Sequence, residues 1–109
     1  MVTFDERERA YEKKFALDEE LRFKATARRN KLLGLWAADI IGLGEAEAEA
    51  YAKDVVIADL EEPGEEDVFR KIKDDLDARG VEQSDHQIRR AMDDLMTKAI
   101  GQIESESKK

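Results

Sequence analysis

One proline, Pro63, and six glycines are the only residues in this 109-residue chain that strongly interrupt a helix, so long α-helices must account for most of its length. Thr3 and Glu6 have capping-box spacing, and from there to Ile41 only Gly34 weakens a continuous helix. Gly42 and Gly44 stop it. The next segment, Glu45 to Glu62, opens with a Glu-Ala alternation that has strand period but is made of strong helix formers. Ala48, Tyr51, Ala52 and Val55 recur at helical spacing, so a helix is predicted, ended by Pro63-Gly64. A third helix from Glu65 to Arg79 places Val68, Phe69, Ile72 and Leu76 on one face, with Gly80 in the C′ place. Ser84 and Gln87 make a second capping box and open a fourth helix, whose stripe is Ile88, Ala91, Met92, Leu95, Met96, Ala99 and Ile103. The tail, residues 104–109, is expected to fray.

Amphipathic helices joined by short loops can bury their stripes only against one another. The predicted fold is therefore all-α, a four-helix bundle over residues 19–103. The first helix should lie at its centre, because Leu32 to Ile41 is apolar nearly all round, and Trp36 is expected in the core.

Charged residues make up 42% of the chain against 41% hydrophobic, and no apolar run is long enough to span a membrane. The charged opening Phe4-Asp5-Glu6-Arg7-Glu8-Arg9 is not a secretory signal. With no cysteine there is no disulfide frame and no thiolate chemistry, which fits a reducing compartment. A net charge of −8 argues against nucleic acid as a partner. That charge is unevenly spread: residues 1–33 hold nine basic and seven acidic residues, whereas the rest hold ten and twenty.

At about 100° per residue, the core face of the first helix is expected on Leu17, Leu21, Ala25, Leu32, Leu35 and Trp36. Phe4, Tyr11 and Phe15 then share a stripe turned by about 90° from it. Either the chain bends near Leu17 to Glu20, or residues 1–18 form a mobile or partly helical arm whose aromatic face meets a partner, with rings as anchors and charges as rim. The alternative, that the three rings fold back over the bundle, has equal standing on sequence alone.

Signals for catalysis are weak. Gly42-Leu43-Gly44 lacks the third glycine and the preceding strand of a phosphate loop. The acids around Pro63-Gly64 are not spaced as an EF-hand, and His86 has no second His or Cys to share a transition metal. Ser84, Ser105 and Ser107 have no base beside them in sequence. Neither a cofactor nor a metal is expected, and the chain reads as a non-enzyme.

The strings Thr3 to Ala16, Leu21-Arg22-Phe23-Lys24-Ala25 and above all Arg28-Arg29-Asn30-Lys31-Leu32-Leu33-Gly34-Leu35-Trp36-Ala37-Ala38 resemble the zeta subunit family, the natural inhibitor of the bacterial F1-ATPase. The likeness continues through Tyr51 to Val56 and Asp67 to Lys71. It implies a four-helix bundle with an inhibitory N-terminal arm that wedges into a catalytic interface between alpha and beta subunits near the gamma stalk. The arm would act there as a pawl against rotation in the hydrolysis direction. Physical reasoning then assigns anchoring to Phe4, Tyr11 and Phe15 and charge pairing to Arg7, Arg9, Lys13 and Lys14, with Glu8 in the same contact set. The implied protein is cytoplasmic, monomeric when free, and peripheral to the inner membrane when bound to the synthase. A competing reading is an acidic helical adaptor for another assembly; an enzyme or small-molecule sensor built on bundle carboxylates is a third.

Overall fold

A computed structural model describes residues 19–61 and 64–107. Four helices carry these residues: α1 (Glu19–Ile41), α2 (Glu45–Glu61), α3 (Glu65–Ala78) and α4 (Asp85–Ser107). Thr3 and Glu6 lie outside the described residues, but the second capping box is formed. The Ser84 amide donates to Gln87 Oε1 at 2.9 Å, and the Gln87 amide donates to Ser84 Oγ at 3.1 Å. Two helix ends are closed by Schellman turns. The Gly80 amide donates to the Asp77 carbonyl and Val81 to Leu76, while Gly42 donates to Asp39 and Leu43 to Ala38. Gly80 (φ 73°) and Gly42 (φ 88°) supply the left-handed residue that each turn requires.

α1 is the hub, packing along α2 on one side and α4 on the other and touching α3. The main core joins Leu33 and Ala37 of α1 to Val55 of α2, Val68, Phe69, Ile72 and Leu76 of α3, and Ile88 and Met92 of α4. The faces expected on α3 and α4 therefore do form the core. Trp36 packs against this cluster from its edge, half-buried.

The expected face of α1 needs correction. Its buried residues are Ala25, Arg29, Asn30, Leu33, Gly34, Ala37 and Ala38, whereas Leu21, Leu32, Leu35 and Trp36 are only partly covered, and Leu17 lies outside the described residues. Small residues explain the difference. A Cβ on Gly34 would stand 2.6 Å from the Ala52 Cα, so α1 and α2 cross backbone to backbone there, and larger side chains are displaced to the flanks of the crossing. The tail also differs from expectation. α4 remains helical to Ser107, because Ile103 is buried against Ala25 and Glu106 accepts an ion pair from Arg28 of α1.

Candidate protein-binding surface

The residues singled out from sequence, Phe4, Arg7, Glu8, Arg9, Tyr11, Lys13, Lys14 and Phe15, all lie outside the described residues. The expected offset of about 90° was reckoned from Leu17, Leu21, Ala25, Leu32, Leu35 and Trp36, and of these only Ala25 is among the buried residues of α1.

What the structure does show next to that segment is a polar layer and a groove, both built on α1. The layer starts from the two consecutive buried residues Arg29 (4% exposed) and Asn30 (1% exposed). Arg29 Nε donates to Asn30 Oδ1 at 2.8 Å, and Asn30 Nδ2 donates to Asp59 Oδ2 of α2 at 2.9 Å. The other Asp59 oxygen accepts the Gly64 amide at 3.3 Å, tying the residue before α3 to the same layer. Burial pushes the Arg29 guanidinium below its ordinary pKa, opposed by the nearby carboxylates of Glu65, Asp59 and Asp93. Glu65 is the nearest of these to form an ion pair, at 3.8 Å. No buried side-chain nitrogen or oxygen among the described residues lacks a partner, so the layer is satisfied and fixes how three helices meet.

Arg28 faces the other way and binds α4: Nη1 donates to Gln102 Oε1 at 2.8 Å, and Nη2 donates to Glu106 Oε1 at 3.0 Å. Beside it, the row Phe23, Ala27 and Lys31 faces Val56 across a groove of about 530 Å³ that reaches Ile103. Sequence reasoning saw Arg28, Arg29 and Asn30 only as part of a familiar string. Arg29 had one detectable signal, its place in the four-residue row Ala25, Arg29, Leu33 and Ala37, which a count of large apolar residues passes over, and Arg28 and Asn30 had none.

The remaining polar contacts are clasps between helices. Tyr51 donates to Asp75 Oδ2 at 2.7 Å, and Lys71 Nζ lies 3.0 Å from the same oxygen. Burial, then the hydrogen bond to Asp75, pushes the Tyr51 phenol well above its ordinary value. Arg89 lies 4.0 Å over the Phe69 ring and pairs with Glu66, whose carboxyl it holds below the usual range. His86 is exposed in the first turn of α4. Among the described residues no group of three or more His, Cys, Asp or Glu is placed to hold a metal, and no helix is long and apolar enough to cross a membrane.

A family model described as ATPase inhibitor subunit zeta matches residues 1–102. The chain belongs to the ATPase inhibitor subunit zeta family. A solved chain titled as a solution NMR structure is 46% identical, with a TM-score of 0.69, over 79% of this chain and 98% of its own length. A search of curated proteins found no match. The string from Arg28 to Ala38 that carried the zeta-family likeness contributes to the polar layer, the helix crossing and the core.

Proposed function

We propose that this chain is a regulatory inhibitor subunit of F1FO-ATP synthase, acting by binding and without chemistry of its own. The observation that carries this reading is the span of the family match, which runs from residue 1 and so includes the arm as well as the bundle. Residues 1–18 are the segment proposed to enter a catalytic alpha/beta interface near the gamma subunit. Phe4, Tyr11 and Phe15 anchor it by burying aromatic surface, and Arg7, Glu8, Arg9, Lys13 and Lys14 pair with charges around them. The bundle stays outside and limits how far the arm travels. A helix wedged there resists the hydrolysis direction of rotation more than the synthesis direction, and it places the protein at the cytoplasmic face of the inner membrane.

The test is a titration of the full-length chain into cognate F1. ATP hydrolysis is expected to fall in a saturable way, and a pull-down from native membrane extract is expected to recover alpha, beta and gamma subunits. Unchanged hydrolysis, together with recovery of a different assembly that lacks F1 subunits, would support the adaptor reading instead.

A further inference from the structure

The side of α1 that faces away from the main core is not dressed as a solvated helix surface. Three depressions adjoin along α1 and α2: the groove of about 530 Å³ beside Phe23 and Ala27, one of about 470 Å³ beside Lys31 and Lys53, and a shallow one of about 30 Å³ reaching Leu60. Val56 lines all three. Phe23 (60% exposed) and Leu60 (54% exposed) stand in the lining, and Ile57 is also exposed one turn from Leu60. These three are the large hydrophobic residues exposed among the described residues, and contiguous apolar surface with a polar rim marks a protein contact.

The linings hold four cations, Lys24, Arg28, Lys31 and Lys53, against three acids, Glu49, Asp59 and Glu106, with Arg28 and Glu106 paired to each other, so this surface is slightly basic in a strongly acidic chain. Lys31 and Lys53 flank the second depression and form no ion pair with another described residue, in a chain whose net charge is −8. Lys24, in the lining of the first, pairs with Glu20 one turn away on the exposed surface. The matching occupant is an acidic surface with an apolar ridge. Position narrows the choice further. Phe23 lies four residues past Glu19, about 6 Å along the helix, so a protein that holds residues 1–18 ends its grip at the mouth of this groove.

We infer that the groove between Phe23, Ala27, Val56 and Leu60 is a second contact surface for the assembly that receives the arm, and that it takes an acidic helix of one of that assembly's subunits. This rests on the functional reading above. The arm supplies the block; the groove supplies residence time and sets the orientation of the bundle.

The test uses the full-length chain with Phe23→Glu and Leu60→Glu together, and separately Lys31→Glu with Lys53→Glu. All four side chains are exposed, so circular dichroism melts should match the unmodified protein. The first pair is expected to raise the half-inhibitory concentration against cognate F1 at least tenfold while saturating inhibition is retained, because the arm is intact. The second pair is expected to raise it severalfold and to flatten its dependence on salt. Unchanged half-inhibitory concentrations for both folded variants, with the unmodified chain inhibiting, overturn the groove and leave the functional reading standing. An unmodified chain with no effect on F1 overturns that reading and the groove with it. A dimer seen by sedimentation and dispersed by the first pair assigns the groove to a second copy, which also overturns the inference.

Discussion

The two ends of the bundle are built differently. Around Leu33 and Ile72 all four helices contribute, and large aliphatic side chains interlock with Phe69 and Met92. Around Ala25 and Ile103 two buried residues, with Leu21, Met96 and Ile100 partly covered, make a thin second cluster beside the groove. Between them lies the Arg29, Asn30 and Asp59 layer. The contrast assigns stability to the thick end. The thin end, where residues 1–18 join the bundle, keeps apolar surface available for contact.

The sharpest way to break this contrast is to cut into each end. Ile72→Ala removes a fully buried side chain from the thick end and is expected to cost about 3–5 kcal/mol in urea unfolding. Ile103→Ala, where the core is thin and opens on the groove, is expected to cost only about 2 kcal/mol. Equal losses would remove the distinction. Gly34→Ala sets about 1 kcal/mol of helix propensity against a clash with the Ala52 backbone, and a net loss of about 1–2 kcal/mol is expected from the same unfolding curves.

The polar layer separates the two ends, and Asn30→Ala tests how firmly. It strands Arg29 Nε and Asp59 Oδ2, with an expected cost of about 1–3 kcal/mol. The smallest effect concerns Tyr51. Its folded pKa is raised, so the folded state keeps a proton that the unfolded state releases near pH 10. Stability from this group is complete below that value and falls as pH rises above it. Tyr51→Phe should therefore make the melting midpoint less sensitive to pH between about 9 and 11, while leaving its pH dependence near neutrality unchanged.

Much of this was legible in the sequence, and the gaps have a common physical cause. Glycine and proline punctuation placed the helix ends, the Ser84 and Gln87 box formed as spaced, and the faces of α3 and α4 followed from their large aliphatic residues. α1 was misread because its contacts depend on small and polar residues. Gly34 is required by a neighbouring backbone that no single-chain pattern announces, and Arg29 is buried only because Asn30, Asp59 and Glu65 converge from separate segments. The fraying expected at Glu104 ignored Arg28, which lies 78 residues from Glu106 in sequence and pairs with it in space. The zeta family was legible from the string that runs through α1, although the purpose of that string was not.

The most direct measurement compares the full-length chain with a chain lacking residues 1–15, each followed by thermal unfolding and by inhibition of ATP hydrolysis on cognate F1. The shortened chain is expected to keep its helical spectrum and a melting midpoint within a few degrees of the full-length value, because the thick core is untouched, and to lose inhibition. Full inhibition by the shortened, folded chain would contradict the division of labour between arm and bundle.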